Sequence, residues 1–328
     1  MATAKITSLF LLVALFFSPV ANAAPHDEAS LLPNDAVLVM QVDFNKLKGT
    51  KIFRELVVAS PQYAMAMAAA KAKTGIDMNT QLKTMTMGFF NDGKAEPMVL
   101  LLEAPFPANS PGLTGPTVAK KDIGGKPYYV VSKKSNSVAP YQGRILLGTE
   151  ERVRAILSGK PGLSAALSAQ SSARDKAAQV WAFGAPPSKM MKQGAEQIKE
   201  VTSLNVALDM AKGLRLIAEI NASPALATKA VAMYEQQKAQ MSQNPMFAAM
   251  GLGAAINNMK VSANGGTLSV NLSLNDAEVG QMINMLKMMM TMRQKAPSAP
   301  MGNPAMPAMP KPTPMPAVPG QKMPLPTK

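Results

Sequence analysis

Three pairs of short apolar runs, each pair joined by a compact turn, constrain the fold of this 328-residue chain more than any other feature. The pairs are residues 83–90 with 96–104, 201–209 with 214–220, and 260–263 with 267–274. The turns Asn-Asp-Gly at 91–93 and Asn-Gly-Gly at 264–266 are typical of β-hairpins. Short turns connect antiparallel strands, whereas parallel strands need long crossover segments. The sequence therefore predicts an antiparallel sheet.

Helices with recognisable ends are predicted between and after these strands. Ser60-Pro61 provides an N-cap and a first-turn proline, and Gly75 can end the helix that follows. Thr149 can cap a second helix, and residues 275–278 resemble the capping box of a third. Strands and helices in this arrangement are typical of an α+β fold.

The order of these elements is the same in two segments, residues 24–174 and 175–295. In each segment a strand is followed by a helix, a hairpin, an insert, a strand pair and a capped helix. A repeated order of elements indicates a duplicated unit. We therefore expect an α+β protein with two tandem similar units, each an antiparallel sheet covered by helices.

Residues 1–23 have the pattern of a secretory signal peptide. Lys5 precedes an apolar run over residues 6–17, and Ala-Asn-Ala at 21–23 matches the small residues that signal peptidase reads. The run is shorter than the roughly 20 apolar residues of a membrane-spanning helix. We expect cleavage after Ala23, a periplasmic or extracellular location, and no transmembrane segment after that cleavage.

Residues 296–328 are dense in proline and methionine and carry lysines but no acidic residue. Without a periodic apolar face they cannot build a packed core, so we expect a disordered basic tail. Thioether sulfur suits Cu(I), which makes metal binding by the tail an alternative function. Methionine is abundant in the whole chain, with 27 residues, so the signal is of low specificity. The candidate ligands are Met301, Met306, Met309, Met315 and Met323.

The composition removes several classes of chemistry. The chain has no cysteine and a single histidine, His26, which follows the predicted cleavage site. Thiolate nucleophiles and zinc–thiolate sites are therefore excluded, and a terminal His26 leaves the folded part without an imidazole base. We predict no catalytic and no cofactor-binding residues. The third function that we keep open is a carboxylate-dependent hydrolase, which needs neither thiol nor imidazole.

The chain is strongly basic, with a formal net charge of +14. Outside the cytoplasm such a charge favours contact with an anionic envelope polymer or with another envelope protein. Aromatic residues make up 5% of the chain and do not interleave with basic clusters, as a single-strand nucleic-acid binder would require. We predict no nucleic-acid partner.

A few single residues allow both a functional and a structural interpretation. Asp43 ends an apolar run, where it could face a cleft, although capping of the next helix is the more common role. Trp181 lies within an apolar run, which favours core packing over a ligand platform. The pairs Lys120-Lys121 and Lys133-Lys134 flank the turn at 124–125, as an anion-attracting edge or as solvated loops.

Two stretches near the start of the predicted mature chain, LPNDAV at 32–37 and VDFNKL at 42–47, resemble the start of uncharacterised families of exported bacterial proteins. Residues 180–184 and 275–278 fit the second half of those families. The resemblance implies a periplasmic or surface location and a duplicated α+β fold. It implies no chemistry.

These observations together predict a non-enzymatic exported protein with a binding or scaffolding role in the periplasm or at the cell surface. The alternative is an envelope metal-handling protein that binds Cu(I) through the Met-rich tail. The domains expected are a signal peptide over 1–23, α+β units over 24–174 and 175–295, and the tail over 296–328.

Overall fold

A computed structural model of the chain describes residues 28–58, 60–91, 98–131, 136–159, 161–173, 175–187, 199–243 and 253–295. The predicted signal peptide, the predicted tail and the five candidate copper ligands lie outside these residues. The described residues up to Lys287 belong to one compact unit. A second unit begins at Met288, and its described part is the end of one helix, up to Lys295. The predicted boundary between residues 174 and 175 lies inside the first unit.

Twelve strands of the described residues form a single sheet in which every neighbouring pair is antiparallel. They are β1 Ala36–Asp43, β2 Thr84–Phe90, β3 Met98–Leu102, β4 Ala119–Ile123, β5 Lys126–Val130, β6 Asn136–Tyr141, β7 Arg144–Thr149, β8 Val180–Gly184, β9 Ser203–Asp209, β10 Leu214–Asn221, β11 Lys260–Asn264 and β12 Thr267–Leu274. Their order across the sheet is β11-β12-β10-β9-β8-β1-β2-β3-β7-β6-β5-β4. The predicted α+β class with an antiparallel sheet is confirmed.

The helices of the described residues connect these strands or follow them. They are α1 Phe44–Leu47, α2 Pro61–Thr74, α3 Met78–Gln81, α4 Pro111–Thr114, α5 Glu150–Ser158, α6 Ala165–Ala173, α7 Pro224–Gln243, α8 Gly253–Asn258 and α9 Asp276–Lys295, with a 3-10 turn at Glu28–Leu31 and a π-helix at Phe53–Val58. Within the described ranges, no helix has both the length and the apolar character needed to cross a membrane.

Several helix ends form as their residues predict. The Ser60 hydroxyl accepts a hydrogen bond from the Tyr63 amide at 3.2 Å, and Gly75 ends α2 with a φ of +71°. The capping box at the start of α9 is present: the Glu278 amide donates to the Asn275 side chain at 3.0 Å, and the Glu278 carboxylate accepts from the Asn275 amide at 2.8 Å. Reciprocal bonds of this kind satisfy amides that a helix start leaves without partners.

Apolar side chains lie on both faces of the sheet. Face A is the face that carries Val39 and Phe183, and face B is the face that carries Val42 and Val180. Buried residues that pack against one another on face A, with those of the covering helices, include Val39, Leu101, Leu146, Val153, Leu157, Leu167 and Phe183. Those on face B include Val42, Phe44, Leu47, Phe53, Leu102, Ile145 and Val180. Helices α5 and α6 thus cover face A of the first strands, while α1 and the π-helix cover face B.

The sequence predicts two separate sheets, one in each unit. In the structure the two strand sets, β1–β7 and β8–β12, form one sheet. They join edge to edge, because β1 pairs with β8 and Met40 lies opposite Ala182. The strand order is nevertheless the same in both sets: β1-β2-β3-β7-β6 corresponds to β8-β9-β10-β12-β11. The contact between β1 and β8 joins segments far apart in the chain, and no local turn signal encodes it.

The helices that end the two sets lie on opposite faces. Helix α5 follows β7 and packs on face A through Val153, whereas α9 follows β12 and packs through Val279 and Ile283 on Leu272, which lies on face B. Corresponding strands of the two sets run in opposite directions. A rotation that superposes one set on the other therefore has its axis perpendicular to the sheet, and it maps face A onto face A and face B onto face B. Such a rotation cannot superpose α5 on α9. The two sets therefore share their strand order but not the position of the last helix, and a duplication of two similar units is not confirmed.

Candidate functional site

An open cleft with a volume of about 540 Å³ lies between strand β4 and helix α5. Strand β4 is the last strand at one edge of the sheet, and in the described part of the chain no strand pairs with its outer side. The cleft is lined by Ile123, Thr149, Glu150, Glu151, Arg154, Ala155 and Ser158. It therefore combines a free strand edge with a helix that carries charges of both signs.

A two-residue turn fixes the register of this edge strand. Gly124 and Gly125 have φ angles of +59° and +78°, as a type I′ hairpin turn requires, and both open into empty space. The turn places Ile123 opposite Lys126. The Asp122 carboxylate accepts a hydrogen bond from the Gly125 amide at 2.9 Å, which holds the turn. The rest of β4 then pairs with β5 in a fixed register.

The register decides which backbone groups of β4 point away from the sheet. Residues of an antiparallel pair alternate between hydrogen-bonded and non-hydrogen-bonded positions, and the residues that flank a two-residue turn are hydrogen-bonded. Asp122 lies opposite Pro127, which has no amide hydrogen, and Lys120 lies opposite Tyr129. The N–H and C=O groups of Lys120 and Asp122 therefore point to the free edge. Both residues are exposed.

An ion pair with a tyrosine joins β4 to α5. The Lys121 ammonium donates to Glu150 Oε1 at 2.7 Å, and the Tyr128 hydroxyl donates to the same oxygen at 3.1 Å. The hydrogen bond from Lys121 holds the pKa of the Glu150 carboxyl below its ordinary value of 4.5. Burial and the bond to Glu150 raise the pKa of the Tyr128 hydroxyl above 10.0. Glu150 thus stays ionised near neutral pH, whereas a general acid needs a raised pKa.

The second cleft has a volume of about 440 Å³ and lies at the ends of β3, β6 and β7. Its lining residues are Thr80, Gln81, Lys83, Glu103, Ala104, Pro105, Phe106, Pro140, Gly143 and Arg144. Here too the carboxylate is engaged, because Glu103 accepts from the Lys83 ammonium at 3.2 Å and from the Thr84 hydroxyl at 3.4 Å. In both clefts, therefore, one glutamate accepts hydrogen bonds from a lysine and a hydroxyl of the same chain.

The single residues named in the sequence analysis take their structural roles. Asp43 caps α1, because its Oδ1 accepts from the Lys46 amide at 3.1 Å. Trp181 is only 3% exposed and packs in the core on face A. Of the predicted basic edge, Lys121 binds Glu150 and Lys120 is exposed on β4, while Lys133 and Lys134 lie outside the described residues.

Sequence reasoning missed β4 as a strand and Glu150 as its partner. The segment Ala119–Ile123 reads AKKDI and lacks the alternation of apolar and polar residues that marks a half-buried strand. The glycine pair at 124–125 between Ile123 and Lys126 is the signal that could have located the hairpin. Among the described residues, no group of three or more histidine, cysteine, aspartate or glutamate side chains is placed to hold a metal ion.

Comparison with known proteins gives no family assignment. No family model and no curated protein sequence matches the chain. Two crystal forms of the protein TP0453 match in structure. Form I has a TM-score of 0.41 and 10% sequence identity and covers 82% of this chain and 98% of TP0453. Form III has a TM-score of 0.42 and 9% identity, with coverages of 81% and 99%. A similarity of this size carries no inference about function.

Proposed function

We propose that this chain is a non-enzymatic exported protein with a binding or scaffolding role in the periplasm or at the cell surface. Its docking surface is the free edge of β4, where it binds an extended segment of another polypeptide. The observation that carries this proposal is the outward direction of the backbone N–H and C=O groups of Lys120 and Asp122 beside an open cleft. The location rests on the predicted signal peptide.

Strand addition is a general mode of peptide recognition. Main-chain hydrogen bonds supply affinity, and pockets for alternate side chains supply specificity. A strand added to β4 continues the sheet, so every second side chain lies on the face that α5 covers. The cleft lined by Ile123, Glu151 and Arg154 provides room for those side chains. Because the cleft carries positive and negative side chains, it suits a partner segment that also carries charges of both signs.

The engaged carboxylates support binding over proton transfer. Glu150 and Glu103 each accept hydrogen bonds from a lysine and a hydroxyl of the same chain. The Glu150 carboxylate, whose pKa these bonds lower, can orient a partner by its charge and does not serve as a general acid near neutral pH. Recognition of another envelope protein is therefore the function that this geometry serves best.

A proline at position 120 is expected to abolish strand addition without unfolding the hairpin. Lys120→Pro removes the outward amide hydrogen and leaves the ladder between β4 and β5 intact, because that amide does not bond to β5. The matched control, Lys120→Ala, removes the same charge and keeps the amide. We expect capture of a partner from envelope extract to fall about tenfold or more for the proline variant, and to fall less for the alanine variant, which keeps the amide.

The capture is measured by quantitative mass spectrometry on the immobilised chain, with circular dichroism to check folding. A partner that binds equally to wild type, Lys120→Ala and Lys120→Pro would contradict binding at this edge. A partner lost equally with both variants would show that the lysine charge, and not the backbone edge, is recognised.

A further inference from the structure

Alternate residues of β4 lie on opposite faces of the sheet. Lys121 and Ile123 are on the side of α5, since Lys121 binds Glu150 and Ile123 lines the cleft. Lys120 and Asp122 are therefore on the other side. They carry opposite charges, both are exposed, and both direct their backbone groups to the free edge. The edge thus presents a short strand whose two outward residues are complementary to each other.

We infer that the strand bound at this edge is β4 of a second copy of this chain, in antiparallel orientation about a two-fold axis at Lys121. This inference rests on the proposed docking edge and names its partner. Around such an axis, Lys120 lies opposite Asp122 of the second copy, and Asp122 lies opposite its Lys120. Opposite charges directly across two strands stabilise the pair. The interface is self-complementary, as a two-fold interface must be.

Other registers are less favourable for physical reasons. With the axis at Lys121, Lys120 and Asp122 of each copy both lie opposite a residue whose backbone groups point toward them. Each of the two pairs forms two backbone hydrogen bonds, so four form in all. An axis at Lys120 or at Asp122 places that residue opposite itself, and like charges across a strand pair are destabilising. At the Lys121 axis the two Lys121 ammonium groups are each bound by Glu150 of their own copy at 2.7 Å.

The same features allow a competing role for this edge. Short edge strands that carry lysine are a common protection against unwanted pairing. Where such protection works through charge, the charges have one sign and repel a second copy. Here the outward positions hold Lys120 and Asp122, and the Asp122 carboxylate turns repulsion into attraction in the two-fold register. The two roles make opposite predictions about the oligomeric state.

Charge exchange at positions 120 and 122 tests the inference. The complete exported chain is examined by sedimentation velocity over a dilution series. In Lys120→Asp both outward positions carry aspartate, and in Asp122→Lys both carry lysine. Two molecules of the same single variant therefore repel each other at this edge. We expect each single change to weaken the dimer about tenfold or more. An equal mixture of the two variants, and the double variant K120D/D122K, should dimerise like the wild type.

The double variant also controls for folding, because it loses the Asp122 bond to the Gly125 amide just as the single variant does. A wild type that stays monomeric at every concentration, or a dimer that ignores the single changes, would overturn the inference. A monomeric wild type that still captures a partner in a Lys120→Pro-sensitive way would overturn self-pairing alone and leave the proposed function standing. A wild type that neither dimerises nor captures a partner in a Lys120→Pro-sensitive way would contradict both the inference and the proposed docking edge.

Discussion

Replacing Gly184 by alanine is expected to destabilise the fold by roughly 2–6 kcal/mol. Gly184 ends β8 with a φ of +125°, which side-chain-bearing residues rarely adopt. A Cβ there would meet the Val37 carbonyl oxygen and would lie 2.8 Å from the Leu38 Cα, both backbone atoms of the neighbouring strand β1. Neither β1 nor β8 can shift its backbone to make room for the Cβ without breaking the pairing of the two strands. Urea unfolding followed by circular dichroism measures the loss.

Gly143→Ala is the matched control for this change. Gly143 also has a positive φ, +75°, but a Cβ there would meet nothing within 4 Å. The alanine therefore adds backbone strain without a clash, and we expect a cost of about 1 kcal/mol. Equal losses for the two variants would show that φ alone sets the cost and that β1 and β8 are not packed as closely as described.

Phe183→Ala is expected to cost about 3–5 kcal/mol, because it opens a cavity in the middle of the core. Phe183 is fully buried on face A beside the junction of β8 with β1. Met65→Ala on the exposed side of α2 is the control, since Met65 is 66% exposed and its loss should change stability by no more than about 0.5 kcal/mol. Thermal and urea unfolding of both variants provide the comparison.

The Phe183 variant also tests the continuity of the sheet. If the strand sets share one core through β1 and β8, the variant should unfold in a single transition at lower denaturant concentration. Two separate transitions, with one strand set lost before the other, would contradict a single cooperative unit.

Local sequence signals predict much of this fold. Apolar runs located β1, β2, β10 and β12, and the caps at Ser60, Thr149 and Asn275 located three helix starts. These features succeed because turns, caps and alternation act within a few residues. Strands β4 and β6 escaped prediction, since β4 has three consecutive charged residues at its centre and β6 contains Pro140. Their pairing partners, not their own residues, make them strands.

The parts of the structure that the sequence does not reveal depend on distant contacts. The pairing of β1 with β8 joins residues more than a hundred positions apart, and it converts two expected sheets into one. Helices α5 and α9 lie on opposite faces of the sheet, and the face on which each helix packs is set by contacts with strands that are distant in the sequence. At the site, Lys121 was visible as a charged residue beside a turn, but its partner Glu150 lies 29 positions further along the chain.

Hydrogen exchange of the β4 amides tests the central claim most directly. In dilute solution the amides of Lys120 and Asp122 should exchange rapidly, because they point to the free edge, whereas the Lys121 amide is protected by its bond to β5. Raising the protein concentration, or adding the captured partner, should slow exchange at Lys120 and Asp122 and leave Lys121 unchanged. Exchange at these two amides that is the same in dilute and concentrated solution, and with or without the partner, would contradict docking at the β4 edge.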